Sequence, residues 1–206
     1  MARQGPSSRT APRGRPSERK TRNRVGLFPR PACPFPSLLV PVVYYEGMRR
    51  HGPEIVCDAM LGGLARWLRA AGYDAEFSYG IDDHELILRA LRTGAVLLSS
   101  DGALFDRNVV RHKTVRAVYV PRELPKTRQL EFVLHELNLP VRDPSRCMAC
   151  GGSLEEVDKA AVRDEAPARA YAAHDRFWRC RRCGRLLWRG THWRKISAVL
   201  DRIRRR

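Results

Sequence analysis

Two groups of residues could do chemistry in this chain, and the more sharply spaced is a pair of cysteine knuckles, Cys147-Met-Ala-Cys150 and Cys180-Arg-Arg-Cys183. A C-x-x-C turn lets two thiolates converge on one ion, and two such turns supply the four ligands of a tetrahedral zinc site. Gly151 and Gly184 follow the knuckles, where a tight turn calls for a residue free to take positive φ. Four cysteines fill the coordination sphere and leave no position for water or substrate, so the zinc is read as structural. Two alternatives stay open: a three-ligand hydrolytic centre drawing on His174 or His192, and disulfide pairing. The 29 residues from Gly151 to Arg179 exceed the usual ribbon spacing and call for an inserted loop or helix.

The second group is acidic. Asp58 and Asp101 each end a short apolar run and precede a helical pattern, and Ile81-Asp-Asp-His-Glu85 opens another helix. Carboxylates brought together repel one another, and the usual compensation is a divalent cation such as Mg²⁺ bound through oxygen. One or two such ions can activate water and stabilise the leaving oxygen in phosphodiester cleavage. Helix capping competes with that reading. Asp82 and Glu85 have capping-box spacing, which leaves Asp83 as the candidate ligand, and Asp58 and Asp101 can each be an ordinary N-cap. Asp106, one turn further on, is read as facing solvent.

The elements that must position these residues follow from periodicity. Strands are predicted at 54–57, 74–79, 95–100 and 116–120, and helices at 61–71, 83–93, 104–112 and 125–138. The helices bury Leu61, Leu64 and Leu68, then Leu86, Ile87, Ala90 and Leu91, and finally Leu130, Val133, Leu134 and Leu137. Four β-α units in succession imply an α/β fold, a mostly parallel sheet covered by helices on both faces. Loops at the carboxyl ends of its strands form the binding crevice. Residues 54–140 are therefore expected to be the core, and 141–206 the four-cysteine ribbon with a C-terminal helix.

Charge points to the partner. The chain carries 39 basic and 22 acidic residues, a net charge of +17, which favours a polyanion and nucleic acid before membrane. Residues 1–50 hold 11 Lys/Arg against Glu18 and Glu46 and read as a disordered basic tail, with Met48 a candidate true start. The apolar stretch at 37–45 is too short to span a bilayer and lacks a secretory cleavage pattern, so a cytoplasmic location is expected. From Arg176 to Arg194 there are seven arginines, three tryptophans and no acid. Arginine interleaved with aromatic rings suits single-stranded RNA, with guanidinium groups on the backbone and rings against bases. Trp178, Arg182 and Trp193 are the candidates there, while Trp188 is assigned to ribbon packing. Arg66 and Arg69, on the helix after Asp58, are candidate phosphate contacts, with a solvated helix face as the competing reading. His192 is read as a hydrogen-bonded structural residue before a leaving-group stabiliser, and Cys33 and Cys57 as unpaired thiols.

The run Cys57-Asp-Ala-Met-Leu-Gly-Gly-Leu-Ala-Arg-Trp-Leu-Arg-Ala-Ala-Gly-Tyr-Asp74 is more specific than any of these patterns. Together with Asp82-Asp-His-Glu-Leu86, Leu97-Leu-Ser-Ser-Asp101, both knuckles and Trp188-Arg-Gly-Thr-His-Trp-Arg194, it resembles the PIN-like ribonuclease family called the Mut-seven C-terminal RNase domain. The resemblance covers residues 54–203 in order. It implies a PIN-like nuclease core with a zinc ribbon and places the family's acidic positions at Asp58, Asp83 and Asp101. Family members usually have Thr-Arg-Asp where this chain has Ser99-Ser100-Asp101, so a basic residue beside the pocket is missing. The expected activity is Mg²⁺- or Mn²⁺-dependent hydrolysis of single-stranded RNA. The alternatives are a non-catalytic RNA-binding protein and, further off, a zinc-ribbon adaptor for another protein.

Overall fold

Short apolar runs set the centre of the fold. Ile55, Val56 and Cys57 form β1 (Ile55–Cys57), buried on both faces. In the computed structural model, which describes residues 55–205, β1 is followed by α1 (Gly62–Ala70), β2 (Ala75–Phe77), α2 (Asp83–Thr93) and β3 (Val96–Ser99). Two short helices, α3 (Gly102–Phe105) and α4 (Asn108–Arg111), then lead to β4 (Ala117–Tyr119) and α5 (Lys126–Glu136). The basic tail at 1–50, the candidate start at Met48, the stretch at 37–45 and Cys33 lie outside the described residues.

All four strands pair in parallel, in the order β2-β1-β3-β4. The α/β sheet flanked by helices is thus as expected. On one face Leu64, Ala65 and Leu68 of α1 pack with Leu130, Val133 and Leu134 of α5. On the other, Leu86, Ile87 and Ala90 of α2 pack with Leu104 and Val110. Gly62 lets α1 close onto β2, since a Cβ there would sit 2.7 Å from the Phe77 ring.

Two local readings change. Leu91, expected inward, is 41 % exposed, because it falls at the edge of the stripe that Leu86, Ile87 and Ala90 already fill. The single helix expected over 104–112 is two helices, since Arg107 takes extended backbone (φ −62°, ψ 131°) between them.

The ribbon comprises β5 (Leu154–Val157), β6 (Phe177–Cys180) and β7 (Leu186–Trp188), antiparallel in the order β5-β6-β7. The expected insertion between the knuckles includes β5, a 3-10 turn at Ala160–Val162 and α6 (Ala168–Ala173). It covers one face of the ribbon sheet, where Val162 and Ala166 pack with Phe177, Tyr171, Leu186 and Trp188. Trp188 therefore has the packing role assigned to it. The last helix, α7 (Thr191–Arg204), buries Ile196 and Leu200 in the same core as α1 and α5. The change of architecture near residue 140 is consequently no break in packing, and the described residues 55–205 fall within one compact unit.

Candidate functional site

Parallel pairing puts the carboxyl ends of β2, β1 and β3 side by side, and each strand is followed by one of the three aspartates. The chain leaves β1 toward β2 and then crosses back over to β3. The reversal opens a crevice between β1 and β3, the usual ligand position in open α/β sheets.

Asp58 stands at that crevice, 6 % exposed. Its Oδ1 accepts the Met60 N–H at 2.6 Å, and its Oδ2 accepts the Ser100 N–H at 3.1 Å and the Ser99 hydroxyl. Asp58 is not the N-cap of α1. Leu61 holds that position with no side-chain cap. Asp101 is a cap, its Oδ1 accepting the Ala103 N–H at 3.0 Å, and its own N–H donates to the Ser99 hydroxyl at 2.9 Å. Ser99 thereby links the two aspartates. Asp82 caps α2 through the Glu85 N–H at 2.9 Å, leaving Asp83 half-buried with no hydrogen bond or ion pair among the described residues. Asp106 is exposed, as expected.

Acids away from the carboxyl edge are mostly answered by arginine, Asp74 by Arg146 and Arg182, Glu155 by Arg181, Glu156 by Arg176 and Glu165 by Arg179, and so is Glu85 in the first turn of α2, by Arg89 and Arg92. At the carboxyl edge the pattern reverses. Asp58, Asp82, Asp83, Asp101, Asp106 and Glu123 form no ion pair among the described residues. Their oxygens suit a hard cation. Asp58, Asp83 and Asp101 are nevertheless not gathered within reach of one ion, and the cysteines are the group so gathered among the described residues.

The four Sγ atoms of Cys147, Cys150, Cys180 and Cys183 lie within 4.8 Å of one another. Cys147–Cys183 is 3.8 Å and Cys150–Cys180 is 3.4 Å. Tetrahedral thiolates on zinc, at about 2.3 Å each, sit roughly 3.8 Å apart, so the quartet could hold such an ion and is not disulfide-bonded. Backbone N–H groups point at sulfur, from Gly152 to Cys150 and from Arg182 and Cys183 to Cys180. Burial pushes the Cys150 thiol up to about 12. Burial acts the same way on Cys180, but the Cys183 and Arg182 N–H groups outweigh it and bring that thiol to about 7. Gly151 (φ +82°) and Gly184 (φ +70°) take the positive φ expected of them. Gly152 has no room for a side chain, since a Cβ would come 2.7 Å from the Cys180 sulfur.

Arg69, a candidate phosphate contact, is turned into the protein. It is 5 % exposed, its Nε donates to the Ala75 carbonyl at 2.8 Å, and its Nη1 donates to the carbonyls of Met148 and Ala149 at 3.1 and 2.8 Å. These bonds tie α1 to the first knuckle. Arg182 is engaged similarly, donating to Asp74 Oδ2 at 2.9 Å and to the Cys150 carbonyl at 2.7 Å, while Arg146 shares the same Asp74 oxygen at 2.9 Å. Arg69 lies in the last turn of α1 and Asp74 just before β2, so the knuckles dock at the amino edge of the sheet, opposite the aspartates.

Arg66 is exposed, with no ion pair among the described residues. Trp178 and Trp193 are half-buried, and the Arg189 guanidinium lies over both rings. Of the seven ribbon arginines, Arg176, Arg179, Arg181 and Arg182 are ion-paired, which leaves Arg185, Arg189 and Arg194. His192 is exposed and makes no hydrogen bond among the described residues. Cys57 is a buried free thiol, raised by burial to about 12. Two residues escaped the sequence reading. Ser99 bridges the aspartates, and Arg122, from the loop after β4, reaches the carboxyl edge, its Nη2 3.1 Å from the Met60 sulfur. The signal for Arg122 was its place just past a strand end.

A family model described as the Mut7-C RNAse domain matches residues 53–200. Over 100 residues the chain is 32 % identical to the human protein named Exonuclease mut-7 homolog, a match covering 47 % of this chain and 11 % of that protein's length. The family match takes in the parallel sheet, the three aspartates at its carboxyl edge and both cysteine knuckles, and on that ground the chain belongs to the Mut7-C RNAse domain family.

Proposed function

We propose that this chain is a Mg²⁺- or Mn²⁺-dependent ribonuclease of the cytoplasm that hydrolyses phosphodiester bonds of single-stranded RNA and carries a structural zinc on its four cysteines. Membership of an RNase domain family, and likeness to a protein named an exonuclease, support a nuclease function. One observation carries the finer reading: in a chain of net charge +17, Asp58, Asp82, Asp83, Asp101, Asp106 and Glu123 at the carboxyl edge form no ion pairs among the described residues, Glu85 being the exception there, while most acids elsewhere do. Uncompensated carboxylates beside a crevice suit a divalent cation, which in turn would offset their repulsion of a phosphate backbone. Asp58, Asp83 and Asp101 are the proposed catalytic ligands although they do not converge on one point in this structure, and a cation that drew them together would supply charge neutralisation and an activated water. The chain's own part is to hold these oxygens. Asp58 is fixed by three donors, Asp101 by its cap and by Ser99, and Asp83 stands unpartnered at the start of α2.

Arg66 is proposed to meet the backbone, and Trp178 and Trp193 to meet bases. Arg182, ion-paired to Asp74 yet with an exposed side chain, keeps its place as a candidate backbone contact, whereas the donors of buried Arg69 are turned to the knuckle junction. Reduced cysteines fit a reducing compartment. Among the described residues, no helix is long and apolar enough to cross a membrane.

The test is cleavage of a labelled single-stranded RNA in Mn²⁺ by wild type, Asp83→Asn and Asp101→Asn. Asparagine caps a helix as well as aspartate does, and Asp83 has no described partner to lose, so these variants remove charge while keeping the fold. Each is expected to lose at least a hundredfold in rate. Equal cleavage by all three would sink the catalytic assignment, and equal RNA binding with no cleavage by any would favour a non-catalytic RNA-binding protein.

A further inference from the structure

Between the ribbon and α7 lies a cleft of about 350 Å³, at the small end of the range for ligand sites. Its wall follows from strand register. Glu156, Trp178 and Leu187 stand in one row across β5, β6 and β7, on the sheet face opposite the Phe177–Trp188 contact. Trp193 of α7, Met148 of the first knuckle and Ser145 also line the cleft. Ser145 makes no hydrogen bond through its side chain among the described residues, although it is only 7 % exposed.

The occupant can be argued from what the two indoles already hold. The Arg189 guanidinium lies 5.0 Å from the Trp178 ring centroid and 5.6 Å from that of Trp193, so one planar cation sits over both rings. Arg189 makes no direct salt bridge among the described residues, although its charge helps Arg176 hold the Glu156 carboxyl below its ordinary value. Glu156, the acid on the rim, is gripped by both arms of Arg176, whose guanidinium is itself 5.3 Å from the Trp178 centroid. The cleft thus offers flat aromatic surface, a cation with no direct salt bridge and a hydroxyl, with its one acid neutralised. Flat π surface flanked by arginine is what a nucleobase and its phosphate need.

We propose that this cleft is a nucleobase site, in which one unstacked base of an RNA strand lies against Trp178 and Trp193 where Arg189 now lies, and Arg189 turns to the adjoining phosphate. The proposal rests on the ribonuclease reading and adds where the strand is held. Ser145 and Met148 belong to the segment docked at the amino edge, so the base site lies away from Asp58 and engages RNA some distance from the point of cleavage.

Indole fluorescence of the full chain, titrated with a short single-stranded oligoribonucleotide and with the same oligomer lacking bases, tests this. Quenching is expected with the first and not the second. Trp178→Leu is expected to weaken binding about tenfold, in line with roughly 1–3 kcal/mol per stacked base, and Arg189→Ala to weaken it while keeping zinc content and melting unchanged. Equal affinity for both oligomers, or wild-type affinity in both variants, overturns the base site, as does cleft occupancy by a protein partner with no response to RNA. Cleavage assayed alongside separates the two readings. Cleavage without base-dependent quenching removes this inference alone, whereas quenching that survives in an inactive Asp101→Asn protein supports it whatever becomes of the nuclease.

Discussion

The two edges of the parallel sheet are charged in opposite ways. At the amino edge, Asp74 is held by Arg146 and Arg182, and Arg69 is held by three carbonyls. At the carboxyl edge, Asp58, Asp83 and Asp101 have no cationic partner among the described residues, and Asp58 relies on N–H and O–H donors. The first arrangement is complete in itself and therefore structural. The second keeps unanswered negative charge, and the proposed cation site rests on that difference.

Removing the metal is expected to have the largest effect. Chelation should release one zinc and destabilise the chain by about 5 kcal/mol or more in denaturant titration, since structural zinc is worth roughly 10–16 kcal/mol in small domains. A melt indifferent to chelator would show that the amino edge does not depend on its cysteines. Next comes a contrast of two arginines one helical turn apart. Arg69→Leu should cost about 2–4 kcal/mol by orphaning three buried carbonyls, whereas Arg66→Ala should leave stability within about 0.5 kcal/mol and weaken RNA binding. The reverse pattern would exchange the roles assigned here.

The smallest effect concerns the ribbon's surface pairs. Hydrogen bonding from Arg176 holds the Glu156 carboxyl below its ordinary 4.5, as Arg179 does for Glu165 and Arg181 for Glu155. A carboxylate depressed in the folded state adds stability that is present above the unfolded pKa and lost as pH falls through the folded one. The melting gap between wild type and Glu156→Gln should be small at pH 7, shrink further in high salt, and close as pH falls through the depressed carboxyl pKa. A gap that widens on acidification would contradict the pairing.

Much of the fold was legible because its signals are local. The four β-α units followed from apolar runs and helix stops, and α2 begins and ends with the Asp82 cap and Gly94 that its sequence announced. The aspartates were legible as strand-end residues, and parallel pairing made those ends adjacent. What could not be read were partnerships across long separations. The segment from Arg176 to Arg194 contains no acid, yet four of its arginines are neutralised by Asp74, Glu155, Glu156 and Glu165, brought in by cross-strand pairing and by docking. Arg69 and Arg66 look alike on a helical wheel of charge, and only the knuckle's carbonyls, about 80 residues away, distinguish them. Leu91 failed for a narrower reason, since a stripe already three residues wide had no room for a fourth.

The docking of the knuckles onto α1 also determines where this protein can be cut. A fragment ending at residue 140 would keep every strand of the parallel sheet, yet strip Arg69 of two of its three acceptors and uncover the core face that Ile196 and Leu200 fill. It would expose apolar surface and an unsatisfied guanidinium together, a recipe for aggregation. The smallest piece with a closed interior runs through Leu200, so an excised catalytic half would have to be redesigned along α1 before it could stand alone.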